Sequence, residues 1–392
     1  MKNNRNMFII AIIAVVNALG YGIIIPVLYT YSQRFGMSDF ENGLLFAIFS
    51  IFQFISTPII GRLSDKYGRK PLLVFSLAGT VVSFLLMAIA PSSLFLYLAR
   101  ALDGITAGNI PVASAFISDT TEPKDRAKGF GIIGASFGFG FIFGPAISAL
   151  TVGYGSTIPF LIAAGVSLIA VILTIVFLPE SNRNIGQVIK GKLFDIKHLV
   201  NSIFDEAVGT TLLVSLLYSF TLSLYIYAYQ PFSVKILHMS ATEISINFTV
   251  FGIVGLITQL LIIPRMNKIW GEKKLLTGSL IMLVLTFLMN FLSRTYLIFL
   301  IISIFHSLAN SFVAPLVQTL LSKEMDAKSQ GSILGLNASY ISIGMIVGPI
   351  MGGVVTLLSI PFPFALGSVV TFICFLISIT ILKKPHPKQA AF

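Results

Sequence analysis

Charged side chains and cysteine are both scarce in this sequence. Asp, Glu, Lys and Arg make up 10% of the 392 residues, whereas soluble domains contain about 25%. Apolar residues make up 56%, more than a soluble protein of this length can keep from water. The single cysteine, Cys374, excludes an intrachain disulfide. These shortages exclude an ordinary soluble domain and favour a protein embedded in lipid.

Motifs of catalysis, metal binding and nucleotide binding are also missing from the sequence. No CxxC, HExxH or GxxxxGK[ST] pattern occurs, and no nucleophile–base–acid set is recognisable. We therefore predict that the protein is not an enzyme and uses neither a metal nor another cofactor. The net charge of +11 would suggest nucleic acid in a soluble protein. Its placement along the chain indicates membrane topology instead, so we expect no nucleic-acid partner.

Long apolar runs dominate the chain. A helix that crosses a bilayer core of about 30 Å needs roughly 20 apolar residues. Runs of about this length cover residues 7–31, 40–61, 71–90, 93–118, 128–151, 158–178, 209–232, 243–264, 274–292, 295–321, 330–357 and 362–382. The sequence thus predicts an all-α membrane protein with twelve transmembrane helices, here called spans 1 to 12.

The lysines and arginines set the orientation of these spans. With the N-terminus inside the cell, all but four of the 26 basic residues lie on the cytoplasmic side. Three of the four lie outside, and Arg100 lies within span 4. We expect both termini in the cytoplasm and a multi-pass protein in the inner (cytoplasmic) membrane of a prokaryote. A monomer surrounded by the lipid bilayer suffices for such a protein.

The two halves of the sequence repeat each other. The loop 61–70 after span 2 corresponds to 264–273 after span 8 at an offset of 203. Four residues of span 5 recur in span 11 at an offset of 204: Gly131, Gly140, Gly144 and Pro145 match Gly335, Gly344, Gly348 and Pro349. We predict two pseudo-symmetric six-helix bundles, residues 1–180 and 209–392, joined by a cytoplasmic linker, residues 181–208, with a short surface helix near 193–206. Parallel six-helix repeats are a transporter architecture.

The loop after span 2 is the sharpest motif. It begins at Gly61 and reads Gly-x-Leu-x-Asp-Lys-x-Gly-Arg-Lys. Its glycines, Gly61 and Gly68, permit a tight turn, and Asp65 is suited to accept hydrogen bonds at a helix N-terminus. The pattern resembles the signature loop of the major facilitator superfamily. That resemblance implies a gating role in which Arg69 pairs with Asp119 at the inner end of span 4.

Span 5 contains a motif of small residues about four apart that ends in Gly-Pro, with Gly140, Gly144 and Pro145 as its main residues. Small residues at this spacing let helices approach closely, so ordinary packing is one interpretation. The pattern also resembles the helix 5 motif of superfamily members that exchange substrate for protons. Over most of the chain the sequence is similar to twelve-helix drug/proton antiporters, and among them to tetracycline exporters.

The sequence departs from tetracycline exporters at their ionisable positions. Asn17, Ser83 and Leu283 stand where those exporters have intramembrane acids, and Gly255 stands where they have a histidine. The usual proton and tetracycline chemistry of that family therefore does not carry over to this chain.

Away from the ends of the spans, three acidic, basic or histidine residues remain: Arg100, Asp103 and His306. Buried charge in a membrane is costly, so each is a candidate for proton coupling or substrate contact. Arg100 and Asp103 are three residues apart and share a helix face. A static pair that fixes span 4 is the alternative. For His306, a neutral hydrogen-bonded ring and a titrating ring both remain open.

Uncharged polar and aromatic residues are candidates for lining a substrate cavity. We predict this role for Asn17, Gln53, Asn109, Tyr218, Gln230, Asn310 and Gln318. Hydrogen bonds across helices, or an aromatic belt at the membrane interface, are the alternative roles. The sequence thus predicts a secondary active transporter that exports small organic, drug-like compounds by alternating access, driven by a proton gradient, as in antibiotic resistance. An importing facilitator or symporter and a non-transporting receptor are the alternatives.

Overall fold

The structure, a computed structural model, describes residues 2–121, 126–182, 185–186, 196–206, 208–324 and 330–383. Several basic residues that fixed the predicted orientation lie outside this part: Lys124, Arg183, Lys190, Lys192, Lys328, Lys384 and Lys388. Residues 193–195 of the predicted surface helix also lie outside it. In the described residues, all regular secondary structure is helical.

Fourteen α-helices occur in the described residues. They are α1 (Lys2–Ser32), α2 (Asp39–Tyr67), α3 (Arg69–Ala88), α4 (Ser93–Thr106), α5 (Asn109–Thr120), α6 (Arg126–Thr151), α7 (Ile158–Phe177), α8 (Ile196–Ser202), α9 (Gly209–Lys235), α10 (Ala241–Ile257), α11 (Ile263–Leu292), α12 (Tyr296–Glu324), α13 (Gln330–Thr356) and α14 (Phe362–Lys383). A π-helical turn, Thr258–Ile262, joins α10 to α11. The seven-residue α8 lies within the predicted surface helix.

Ten helical segments of the described chain are long and apolar enough to cross a membrane. One of them, Ala241–Leu292, is 52 residues long and contains both span 8 and span 9. Span 4 is not among the ten because it is divided between α4 and α5, which have 14 and 12 residues. Every predicted span therefore corresponds to a helix or a pair of helices, and the all-α membrane fold is confirmed.

The prediction of one continuous helix over 93–118 is wrong. The Ala107 N–H donates to the Gly104 carbonyl oxygen at 3.2 Å, which shortens the last turn of α4. Pro111 has no N–H to offer the Ala107 carbonyl. Proline alone does not cause the break, because α12 continues through Pro315. At the position that corresponds to Gly108, α12 has the non-glycine residue Phe312, and glycine is the weaker helix former.

The tight turn of the signature loop occurs in both halves of the chain. Gly68 has φ 107° and separates α2 from α3. Gly271 has φ 74° and ψ 161°, and it interrupts α11. Positive φ values of this kind favour glycine, which has no Cβ. The break at Gly271 therefore divides Ala241–Leu292 where the sequence predicted the loop between spans 8 and 9.

The chain forms two compact units, each with its own core. The first is Met1–Leu193 with Met239–Gly252, and the second is Phe194–His238 with Ile253–Phe392. One core cluster contains only residues between 9 and 178, and the other contains only residues between 208 and 381. The exact boundaries 1–180 and 209–392 stay a prediction.

The repeat extends to the way helices begin. Ser38 and Glu41 form a capping box at the start of α2, with the Ser38 N–H donating to Glu41 at 2.7 Å and the Glu41 N–H donating to Ser38 Oγ at 3.2 Å. Ser240 and Glu243 make the same two contacts at the start of α10, at 2.8 and 3.2 Å. Each box satisfies two N–H groups that a helix start leaves free.

Glycines of the span 5 motif bring α6 against α1. A Cβ added to Gly140 would overlap the backbone of Ala18, and one added to Gly144 would lie 2.6–2.8 Å from backbone atoms of Gly22 and Ile23. Such distances are shorter than real Cβ contacts allow. The motif therefore has a direct packing role in the first unit.

The matching glycines of α13 pack in the same way against α9. A Cβ on Gly344 would lie 2.6 Å from the Phe220 nitrogen, and one on Gly348 would lie 2.5 Å from the Phe220 oxygen. Gly131 and Gly335, the remaining pair of the repeat, have no atom within 4 Å of an added Cβ. Tight and open positions thus correspond between the two halves.

Candidate functional site

Arg100 and Asp103 form a buried ion pair on α4. Arg100 Nη1 lies 3.2 Å from Asp103 Oδ2, and the two side chains are 3% and 8% exposed. Thr80, on α3, donates from its hydroxyl to Asp103 Oδ1 at 3.3 Å. Both carboxylate oxygens therefore have a donor, which lowers the cost of burying the charge.

Arg100 has two further contacts, both with α2. Its Nε donates to the Leu45 carbonyl oxygen at 3.5 Å, and its guanidinium carbon lies 4.3 Å from the centroid of the Phe49 ring. The latter geometry is that of a cation–π interaction. The Tyr21 ring from α1 lies 6.0 Å from the Phe49 ring. Residues of α1, α2, α3 and α4 thus surround one cation and one carboxylate.

Two glycines bring α4 and the break after it close to α2. A Cβ on Gly104 would lie 2.5 Å from the Phe49 carbonyl oxygen and 2.8 Å from Phe52 Cβ. A Cβ on Gly108 would overlap the Ile60 side chain. This close approach places Arg100 within reach of α2. The spacing Gly-x-x-x-Gly thus permits the close helix contact on which the site depends.

Asn17 and Asn109 join α1 to the break in span 4. Asn109 Nδ2 donates to Asn17 Oδ1 at 2.5 Å, and Asn109 Oδ1 accepts from the Ile110 N–H at 2.8 Å. Asn109 is the first residue of α5, so its side chain satisfies a free N–H of the new helix. The two predicted cavity residues are therefore brought together, within the same unit as the ion pair.

His306 lies in an aromatic cluster of the second unit. Its ring stacks on Tyr225 with centroids 3.7 Å apart and meets Phe287 edge-on at 4.9 Å. Its Nδ1 and the Thr286 hydroxyl are 3.0 Å apart. The residue is 3% exposed. This geometry fits the interpretation of a hydrogen-bonded core histidine, one of the two that the sequence left open.

Of the remaining predicted cavity residues, Gln53 lies in the first unit and the others lie in the second. The Tyr218 hydroxyl donates to Asn310 Oδ1 at 2.9 Å and contacts its carbonyl oxygen at 3.2 Å. Gln230 is fully buried, Gln53 is half-buried, and Gln318 is exposed. The Tyr218–Asn310 bond is of the kind that joins helices within a bundle. A cavity role for these residues stays a prediction.

The signature loop forms a charge network at the start of α3. Arg69 Nη1 lies 2.6 Å from Asp65, and Arg69 Nε lies 3.0 Å from Asp119 on α5. Ser64 Oγ accepts from Arg69 at 2.6 Å. The predicted pairing of Arg69 with Asp119 is present. One arginine thus links the end of α2, the start of α3 and the end of α5.

The sequence profile of the Major Facilitator Superfamily matches residues 10–209 and 211–392. The chain belongs to the Major Facilitator Superfamily. Its membership makes it a membrane transporter of small molecules and not an enzyme. Multidrug resistance protein 1 of Bacillus subtilis is 33% identical over 392 residues and matches 99% of both chains. The class H tetracycline resistance protein of Pasteurella multocida is 30% identical, over 89% of this chain and 88% of that protein.

Solved structures of other facilitators have the same fold. The human organic anion transporter MFSD10 superposes with a TM-score of 0.74 at 20% identity, covering 96% of this chain and 99% of that one. A bacterial homologue of the human lysosomal transporter Spinster gives a TM-score of 0.76 at 17% identity, covering 100% and 99%. These likenesses extend over nearly the whole chain and support the fold alone.

Ser83, Leu283 and Gly255 are uncharged and lie on α3, α11 and α10. Ser83 donates to the Ala99 carbonyl oxygen at 2.8 Å, and Leu283 lies in the core of the second unit. A Cβ on Gly255 would lie 3.3 Å from Ser311 Oγ. The buried ion pair of α4 is accordingly the chemistry that distinguishes the first unit.

Glu180 is a residue of the signature network that the sequence analysis missed. Its carboxylate accepts from the backbone N–H groups of Arg69 at 2.9 Å and Lys70 at 3.1 Å, at the N-terminus of α3. We expected Asp65 in this role, and that prediction is wrong because Asp65 binds the Arg69 guanidinium instead. Glu180 follows span 6, 111 residues from Arg69. No local pattern relates the two positions, so only the fold reveals the contact.

Proposed function

We propose that this transporter exports small, largely apolar organic compounds in exchange for protons. The buried Arg100–Asp103 pair is the observation that supports coupling, because it is a carboxylate and a cation inside the spanning region of a transporter. The relatives named for resistance to multiple drugs and to tetracycline support export as the direction and drug-like compounds as the cargo.

The pair can exist in two states. While Asp103 is ionised, it holds Arg100 at 3.2 Å and accepts from Thr80. When Asp103 takes up a proton, Arg100 loses its counter-charge and keeps only the Leu45 carbonyl and the Phe49 ring. A protein that alternates between two arrangements can therefore couple each arrangement to one protonation state. The driving force is the proton gradient, and no cofactor enters this scheme.

The setting of this activity follows from the predicted topology. Both termini lie in the cytoplasm, the protein works as a monomer in the inner membrane, and the bundles 1–180 and 209–392 provide alternating access. The signature network of Arg69, Asp65 and Asp119 acts as the gate of the first bundle, supported by its contacts at the ends of three helices.

Transport in proteoliposomes under an imposed pH gradient tests the proposal. The substrate panel is a tetracycline, a fluoroquinolone and the cationic dye ethidium. We expect wild-type protein to move at least one of them against its gradient, driven by protons. Asp103→Asn keeps the size of the side chain but cannot titrate, so we expect gradient-driven transport to fall at least tenfold while energy-independent exchange persists.

Arg100→Ala is the second variant, and Ser114→Ala on the neighbouring α5 is the control for a polar change without charge. If Asp103→Asn and Arg100→Ala both retain gradient-driven transport, the pair is not the coupling site. If the wild type moves none of the panel in either direction, drug export itself is refuted.

A further inference from the structure

A second charge network lies in the other half of the chain, at the break in α11. Lys323 Nζ, on α12, lies 2.6 Å from Glu272 Oε1. Asn267 Nδ2 lies 3.4 Å from the same oxygen. Glu272 directly follows Gly271, the glycine with positive φ that interrupts α11. The contact therefore joins the break in α11 to the C-terminal end of α12, both in the second unit.

This network corresponds residue by residue to the signature loop. At an offset of 203, Ser64 matches Asn267, Gly68 matches Gly271 and Arg69 matches Glu272, while Asp119 matches Lys323 at an offset of 204. The geometry corresponds as well. In each half, the residue after the turning glycine binds a polar side chain five residues before it and an opposite charge on a neighbouring helix.

The charges of the two networks are reversed. The first half has the cation after the glycine and the anion across from it, and the second half has Glu272 and Lys323 in those places. Lys268 also stands where the first half has Asp65. Attraction survives such a reversal only if both partners change together. The correspondence therefore indicates that the ion pair itself is required, and not a single charged residue.

The reversal also explains a difference between the halves. Arg69 begins α3, and a cation at a helix N-terminus is unfavourable, so the carboxylate of Glu180 supplies the acceptor there. In the second half, Glu272 places a negative charge at the helix start after Gly271. Glu272 thus provides both the negative charge at the helix start and the ion-pair partner of Lys323 on α12.

We infer that Glu272, Asn267 and Lys323 form a brace. The brace keeps the break in α11 and the C-terminal end of α12 together during transport. They are positioning residues, and the inference depends on family membership and geometry, not on the identity of the substrate. Lys323 is 55% exposed, so the ion pair contributes only modestly to stability. Its role is to position the two helices.

A double-mutant cycle tests the brace. The single variants are Glu272→Arg and Lys323→Asp, and the double variant, which combines the two, copies the polarity of the first half. We expect each single variant to lower the melting temperature in detergent by about 1–2 °C. We expect the double variant to recover at least half of that loss. Lys274→Gln, which removes an exposed charge two residues beyond Glu272, is the matched control and leaves the melting temperature unchanged.

Transport of ethidium by the same variants is the second readout. We expect the single variants to lower the maximal rate about threefold with unchanged KM, because the brace lies away from the cargo. Single variants that match Lys274→Gln in both assays, or a double variant no better than the weaker single one, would overturn the inference. If the wild type does not move ethidium, the melting-temperature cycle still decides on the brace, so its failure is distinct from failure of the proposed function.

Discussion

Arg100 is held by three different kinds of contact within the first unit. It meets a carboxylate, a backbone carbonyl and an aromatic face, each from a different direction. The planar guanidinium suits this set, since it can donate in its plane while stacking on a ring. A lysine offers a compact point charge without the planar face that stacks on a ring.

We therefore expect Arg100→Lys to be a damaging change despite its retained charge. Gradient-driven transport falls at least fivefold and the melting temperature in detergent falls by a few degrees, because the Phe49 and Leu45 contacts are lost. The measurement is ethidium uptake into inverted vesicles alongside a thermal unfolding scan. Arg62→Lys, near the C-terminal end of α2, is the matched control. Wild-type behaviour of Arg100→Lys would show that charge alone matters at this position.

For His306, in contrast to Arg100, we expect a substitution to change stability and not proton coupling. Its ring is enclosed by Tyr225 and Phe287 and bonded to Thr286, so we expect it to act in packing. His306→Gln keeps a group that can bond to Thr286 but loses the stacked ring, at a cost of about 0.5–1.5 kcal/mol in stability. We expect a lower melting temperature and an unchanged pH dependence of transport. A flattened pH profile in this variant would instead make His306 part of proton coupling.

Sequence identified the residues of the ion pair but not their surroundings. Arg100 and Asp103 are three apart on one helix, and that spacing is local information. Thr80, Leu45 and Phe49 approach from α3 and α2, and their positions depend on how helices pack. The same limit applies to Glu180, whose contact with α3 spans more than a hundred residues.

At the scale of helices, glycine positions decide which pairs of helices meet. Gly140 and Gly144 have no room for a side chain, and Gly131 on the same helix has nothing within 4 Å of an added Cβ. Sequence predicted that small residues four apart pack closely, and α6 against α1 bears this out. It could not rank the glycines, because the ranking depends on the partner helix.

Gly140→Ala and Gly131→Ala therefore make a matched pair within α6. In Gly140→Ala the new methyl group overlaps Ala18, so we expect a fall of several degrees in melting temperature and poor folded yield. In Gly131→Ala the new residue is the better helix former, worth up to about 1 kcal/mol. Unfolding scans of the two variants, with Gly344→Ala and Gly335→Ala as the pair on α13, give the comparison. Equal stability of Gly140→Ala and Gly131→Ala would contradict close packing of α6 on α1.

The helix break in span 4 shows where hydropathy is insufficient. Spans 4 and 10 both contain the proline of the repeat, at Pro111 and Pro315. Only span 4 breaks, where the first half has Gly108 and the second has Phe312. The membrane tolerates the break because Asn109 and the turn at Gly104 satisfy the freed backbone groups. Apolar content is similar on both sides, so a hydropathy window reports one span.

At the scale of the whole chain, the duplication predicted from residue offsets extends to backbone angles, capping boxes and tight glycines. The two hydrophobic core clusters follow the same division, since each contains residues from one half only. What differs between the halves is charge. The first has the buried ion pair and a positive residue after its turning glycine, and the second has His306 and a negative one. The two halves thus share one helical scaffold, and their different polar groups allow each half to have a different chemical role.

Because each half has its own core, the chain is expected to tolerate division in the linker. We predict that residues 1–190 and 191–392, expressed together as separate polypeptides, both insert in the membrane and restore at least a tenth of wild-type ethidium transport. Either fragment alone inserts but transports nothing, since a facilitator requires both bundles. A tag on each fragment allows co-purification to report assembly. Division inside a bundle, between residues 156 and 157 in the loop before α7, is the control, and it separates α7 from the core it belongs to. Equal function after both divisions would show that the two halves are not independent folding units.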